Sequence, residues 1–303
     1  MIKSSLISKL RKIKGSGLVA DALANGTNQI TVVSERDMLG VKKIKFSKGF
    51  GPQNIGGNVD TTFDAYFRDE IRKKIEEGKI DDGTKTPFDD RKVRLSSRHV
   101  LPNYTKSGES ISFEAGPTDY QRYKQDMERS AEEAIALMLR GAREGNFWKY
   151  FACPIGVAVF PITKEGHTYV GVRQGVDLSG FLCSVAGHMT FSEDLKRIDP
   201  YKDAQHELKE ESGVDMKLDE NNTSLIGMSQ DAKIGDANFV FLVQTGVPTS
   251  YFESGEWRKH AKEREHGDLI LIKDANQARE ALGSRKPLIH STKLGLEYLA
   301  KRL

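Results

Sequence analysis

The sequence predicts an α/β protein of the α+β kind: a C-terminal half with a central set of strands and flanking helices, preceded by an N-terminal α+β extension. Three observations carry that prediction. Beyond residue 150, short apolar runs alternate with stretches of helical pattern. A long apolar stripe at helical spacing, ended by Gly145, separates this half from what precedes it. No fixed-period repeat or low-complexity tract occurs, which disfavours solenoids and propellers. The 303 residues suffice for one large domain or two ordinary ones.

The first twenty residues carry Lys3, Lys9, Arg11, Lys12 and Lys14 with no acid, and Ile2, Leu6, Ile7, Leu10 and Ile13 recur at helical spacing. A basic amphipathic helix suits an organelle presequence or a surface touching membrane or nucleic acid, but the simpler reading is a docking helix with a solvated face. Gln29 to Val33 and Lys42 to Phe46 read as strands, and "GFGPQNIGG" (Gly49 to Gly57) as a loop, since it lacks the lysine-serine ending of a phosphate-cradling motif. Thr61 to Lys79 places Phe63, Phe67, Ile71 and Ile75 at four-residue steps and closes on Gly78, which predicts a helix. "KTPFDD" breaks that pattern, a loop-rich stretch follows through Asn103, and "ESISFEAG" alternates Ile111 and Phe113 as a half-buried strand does.

A longer helix is expected from Thr118 onward, with Ala131, Ala134, Ile135, Met138, Leu139 and Ala142 on one stripe. Residues 1–118 therefore form the extension, 119–149 the connecting helix, and 150–303 the second domain. That domain opens with "GVAVFPI" and "TYVGVRQ", two strands joined by "TKEGH". "SLIGMS", "ANFVFLVQT" and "DLILIKD" read as further strands, and "NQAREAL" and "TKLGLEYLAKRL" as helices.

Composition excludes several classes. With 29% charged and 38% hydrophobic residues, the chain fits a globular protein and not a fibrous or disordered one. Residues 1 to 60 hold ten Lys/Arg against four acids, yet the formal net charge is only +3, so any basic site is local and nucleic acid is not an expected partner. The longest purely apolar runs, such as Val157 to Phe160, fall far short of the roughly 20 residues a bilayer span needs. Cys153 and Cys183 form no CxxC pair, so neither a disulfide framework nor a cysteine zinc site is indicated, and a cytoplasmic setting is the default.

The chemistry concentrates in "HELKEESGV", residues 206–214. Ala204 to Ser212 contains no proline or glycine and is rich in good helix formers, with Gly213 placed as a C-cap. In that helix Glu207, Glu210 and Glu211 stand at i, i+3 and i+4 and share a face. Like charges at those spacings repel by about 0.2–0.5 kcal/mol per pair in solution, so a positive partner is expected opposite them. A hard divalent cation, which prefers carboxylate oxygens and joins them to substrate phosphates, answers the need; a solvated acidic face paired with Lys209 or Lys202 is the plainer alternative.

Upstream, Gly187 is followed after five residues by Glu193, and downstream come Gly213 and Val214. With Glu207, Leu208, Glu210 and Glu211, these positions resemble the Nudix box: glycine, five residues, glutamate, seven residues, Arg-Glu, apolar, any, Glu-Glu, any, glycine, apolar. Two departures stand out. Twelve residues, Asp194 to Gln205, replace the usual seven, and a longer surface loop costs little. His206 stands where the family has an arginine that orients a catalytic glutamate, and histidine makes a weaker, pH-dependent contact. "GPTDYQRY" and "EHGDLILI" look, more loosely, like segments of larger Nudix-like proteins with an N-terminal lobe.

The resemblance implies an α/β/α sandwich with a mixed sheet and a Mg²⁺-dependent hydrolase, with Mn²⁺ as a substitute, that cleaves a nucleoside diphosphate linked to another group. Glu207, Glu210 and Glu211 would hold metal, and one of them, or Glu265, would act as base. Glu193 would support the loop or add a metal contact. Gly187 would let backbone approach the phosphates, and Arg173 could grip one as a two-pronged donor. A small-molecule nucleotide partner and a homodimer accord with the likeness. His188, Asp231, Asp236, Tyr251, Phe252 and Trp257 are weaker candidates, better read as turn or core residues. Two other functions remain open: a Nudix-fold module that senses a nucleotide without turning it over, and an RNA 5′-end processing hydrolase.

Overall fold

Val, Ile, Phe and Tyr crowd the pleated runs of the C-terminal half because branched and aromatic side chains pack well on a strand. In the computed structural model, which describes residues 2–53, 91–174 and 178–302, those runs become strands of two sheets. From the N-terminus the elements are α1 (Ser4–Arg11), α2 (Gly17–Ala24), β1 (Gln29–Val33), the single turn α3 (Glu35–Met38) and β2 (Lys43–Lys48). Next come β3 (Arg91–Leu95), β4 (Tyr104–Ser107), β5 (Ser110–Asp119), α4 (Tyr120–Glu128) and α5 (Ala131–Arg143). The second half contributes β6 (Ile155–Ile162), β7 (Thr168–Arg173), β8 (Leu182–Cys183), β9 (Val185–His188) and α6 (Pro200–Ser212). It continues with β10 (Thr223–Asp231), β11 (Ala237–Gln244), α7 (Thr249–Glu253), β12 (His266–Ile272), α8 (Ala275–Leu282) and α9 (His290–Arg302).

The main sheet runs β1-β10-β11-β6-β9 and is mixed: β6 and β11 are parallel, the other pairs antiparallel. β6 is buried along its whole length, as a strand covered on both faces must be. Val157 and Val159 turn to one face, where Ala204 and Leu208 of α6 pack. Ala158 and Phe160 turn to the other, against Leu296 and Leu299 of α9. Helices thus cover both faces of a mixed sheet, the expected α/β architecture. A second sheet, β12-β7-β8, is antiparallel, and a third joins β2, β5 and β3 with β4 also on β5.

Three expectations change. The helix read from Thr118 onward is two helices: Thr118 lies in β5, Arg129 is extended, and Ser130 opens α5 with a reciprocal capping box to Glu133. The loop-rich stretch before Asn103 contains β3. The division into 1–118, 119–149 and 150–303 is crossed by β1, which pairs with β10, and by a core joining Val33, Val93 and Phe113 to Val157, Val185 and Phe239. The basic N-terminal helix docks: Ile7 and Leu10 bury with Leu23, Ile135 and Met138, while Lys9, Arg11 and Lys12 face outward. The helix expected at Thr61 to Lys79, the "KTPFDD" break and residues 54–57 of the glycine-rich loop lie outside the described residues. Among the described residues no helix is long and apolar enough to cross a membrane.

Candidate active site

Helix α6 is fixed at both ends by its own sequence. Asp199 caps the start by accepting the Tyr201 N–H at 3.1 Å, and Pro200 follows at the first helical position, where its missing N–H is no loss. Gly213 ends the helix in the left-handed conformation, φ 72°, and its N–H bonds the Lys209 carbonyl at 2.9 Å. The Glu210 carbonyl, orphaned at the helix end, accepts N–H bonds from Lys262 (2.8 Å) and Glu263 (3.0 Å). A Cβ on residue 213 would strike His260 and the Ala261 nitrogen, so only glycine lets this loop approach. The helix terminus thereby carries the loop that brings further carboxylates to the site.

Glu211 is fully buried beneath β9. Its Oε1 accepts the Ala186 N–H at 3.2 Å. Its Oε2 lies 2.6 Å from His266 Nε2 but out of line for a hydrogen bond, and among the described residues neither atom has a hydrogen-bond partner. Burial, then Glu265, push the Glu211 carboxyl well above its ordinary value, with Arg173 and the Ala186 N–H pulling the other way. Glu207 is raised well above the usual range too, by burial first and then by Glu211, Glu263, Glu265 and Glu210. Its carboxylate occupies the space where a Cβ on residue 187 would sit, so Gly187 forms the floor beneath it.

Glu263 and Glu265 enter from the loop ahead of β12. Glu263 is exposed yet crowded by its neighbours, and partial burial followed by Glu265 and Glu210 push it to about 7. Glu265 Oε2 pairs with Arg173 Nη1 at 2.7 Å, and its carbonyl accepts the Gln174 N–H at 2.8 Å. Arg173 is largely buried at the end of β7; burial opposes its charge, but Glu265 and then Glu211 hold its pKa above the ordinary value. Glu210 is partly exposed, with His206 Nε2 at 3.2 Å and Lys262 Nζ at 3.6 Å.

The structure therefore brings together Glu207, Glu210, Glu211, Gly187 and Arg173. It places Glu193 elsewhere: that side chain is exposed, and its carboxylate meets Arg91 of β3 at 2.8 Å. His206 is mostly exposed and touches Glu210, not the buried Glu211. Asp231 caps a turn, accepting the Lys233 and Ile234 N–H groups, and Asp236 lies between His188 (3.2 Å) and His290 (3.5 Å). Trp257 and Phe252 are core residues, and Tyr251 donates its hydroxyl to the Ser212 carbonyl at 3.1 Å. Glu263 and His266 were not singled out from the sequence; the only local signal was the carboxylate-rich lead into "EHGDLILI".

The donor set suits a hard cation. Burial first, and then neighbouring carboxylates, raise Glu207 and Glu211, and among the described residues Glu211 Oε2 has no hydrogen-bond donor, so a divalent ion would relieve both the repulsion and the orphaned oxygen. Among the described residues no three His, Cys, Asp or Glu side chains are gathered into a ready-made metal cage.

Comparison with known proteins adds part of the chain. No family model matches, and no curated protein matches. Among solved structures, a MutT protein from Methanosarcina mazei is similar over 49% of this chain and 93% of its own, at 12% identity and a TM-score of 0.32. A NUDIX hydrolase from Nitrosomonas europaea is similar over 49% of this chain and 90% of its own, at 16% identity and a TM-score of 0.33. The NUDIX domain of Shewanella oneidensis NrtR, solved with ADP ribose, is similar over 48% of this chain and 86% of its own, at 10% identity and a TM-score of 0.32.

Proposed function

We propose that this chain is a Mg²⁺-dependent pyrophosphohydrolase of Nudix type that cleaves a nucleoside diphosphate linked to another group. The observation that carries the reading is the full burial of Glu211 and the partial burial of Glu207 beside Glu210, Glu263 and Glu265, where burial first and neighbouring carboxylates second raise the pKa of Glu207 and Glu211. So costly a cluster supports a bound cation better than it supports a solvated acidic face. Glu207, Glu210 and Glu211 would hold Mg²⁺, or Mn²⁺ in its place, and the ion when bound would neutralise phosphate charge and polarise water. Gly187 leaves room for backbone and carboxylate to meet a phosphate, and Arg173, backed by Glu265, offers it a guanidinium. Glu263, titrating near neutrality, is suited to take the proton of the attacking water.

The test is a panel of nucleoside diphosphate sugars and dinucleotides with Mg²⁺. Product is expected, and Glu210→Gln and Glu211→Gln should each lower kcat on the order of 10²–10⁴-fold with the fold intact. Total inactivity across the panel together with absence of metal binding would defeat the reading. A second reading, a module that senses a nucleotide without cleaving it, draws on His206, which touches only the partly exposed Glu210; tight binding without product would select it. A cytoplasmic setting and a homodimer complete the proposal, and sedimentation of the purified chain checks the latter.

A further inference from the structure

The proposed metal site has one histidine neighbour that its motif does not supply. His266 opens β12, a strand far in sequence from α6, and is buried with the cluster. Its Nε2 lies 2.6 Å from Glu211 Oε2, and its Nδ1 lies 3.4 Å from Cys183 Sγ on β8. The ring has a made-to-measure slot: a Cβ at residue 171 would collide with it, so Gly171 of β7 leaves the gap it fills. Tyr169 meets it edge-on at 6.3 Å between centroids. Three strands thus immobilise a ring whose free corner touches a single carboxylate oxygen.

We propose that His266 is a positioning residue for the active-site carboxylate Glu211, performing from β12 the orienting task that exposed His206 does not perform from α6. A carboxylate offers about four lone-pair directions. The Ala186 N–H engages Oε1, and the His266 ring packed 2.6 Å from Oε2 limits how the carboxylate can turn. Ligand orientation by an outer partner of this sort is worth about 10–100-fold in metal affinity. The inference rests on the proposed function, because a carboxylate that holds no ion gains nothing from being aimed.

The experiment measures Mn²⁺ affinity of the full chain by electron paramagnetic resonance, beside circular dichroism and steady-state kinetics. His266→Gln keeps an amide near the place of Nε2, whereas His266→Asn keeps one near Nδ1, short of Glu211. The asparagine variant should bind Mn²⁺ at least about 10-fold more weakly, with a raised metal activation constant and an unchanged KM for nucleotide, and glutamine should restore most of the affinity. Equal affinity in both variants, intact or lost, would overturn the assignment. Gly171→Ala provides a second route, since its methyl group would strike the His266 ring and is not itself against a carboxylate: weakened Mn²⁺ binding is expected, and wild-type affinity would overturn the assignment. Absence of Mn²⁺ binding by the wild-type chain defeats instead the proposed function beneath it.

Discussion

At the scale of single residues, the site depends on what is missing at position 187. A methyl group there would fall on the Glu207 carboxylate. Gly187→Ala should therefore keep the fold, because β9 tolerates a small side chain, yet displace Glu207 and lower Mn²⁺ affinity and turnover by about tenfold or more; titration beside a thermal melt would check both. Glu263 makes a pH prediction. Folding raises it from the ordinary 4.5 to about 7, through burial and then Glu265 and Glu210. A carboxyl so raised contributes its stability while protonated, fully below the unfolded value, and loses it as pH climbs through the folded one. In chelator, the melting temperature should thus fall between pH 4.5 and 7, with Glu207 and Glu211 acting in the same direction, and Glu263→Gln should flatten that decline. A melting temperature that rises over this range in the unmutated chain would contradict the assignment. The sequence shows Glu207, Glu210 and Glu211 because helical spacing is local; it hides Glu263 and His266 because a loop and a distant strand deliver them. Glu193 misleads for the converse reason: the spacing is right, but its exposed carboxylate pairs with Arg91 of β3.

At the scale of elements, caps decide where helices begin and end. Ser130 divides what the apolar stripe presents as one helix, since its hydroxyl and the Glu133 carboxylate satisfy each other's backbone N–H groups. The Ser-Ala-Glu-Glu signature was present in the chain, but the stripe of Ala134, Ile135 and Met138 runs on past it. Ser130→Ala should cost about 0.5–2 kcal/mol, read from urea unfolding, with no change in metal binding. Gly213 is a harder constraint, because it supplies both a positive φ and clearance for His260. Gly213→Ala should destabilise by about 1 kcal/mol or more and also disturb the loop bearing Glu263, so stability and activity should fall together. The strands of the second half were readable from their branched and aromatic runs. β3 was not, since "RKVRL" is mostly polar and becomes a strand through its pairing with β5.

At the scale of the whole molecule, the N-terminal region is built into the second half and is not an appendage. Val33, Val93 and Phe113 share a core with the residues beneath α6, and β1 completes the main sheet. Residues 150–303 produced alone should consequently lack the cooperative thermal transition of the full chain; a sharp transition by calorimetry would show that the shared core is dispensable. No local pattern could have announced this, because Gln29 pairs with Asp231, roughly 200 residues further along the chain. That pairing has a consequence for synthesis. A ribosome adding about 5–20 residues per second exposes β1 for roughly ten to forty seconds before β10 emerges to receive it. During that interval the nascent strand has an unmet hydrogen-bonding edge, open to mispairing until β10 arrives.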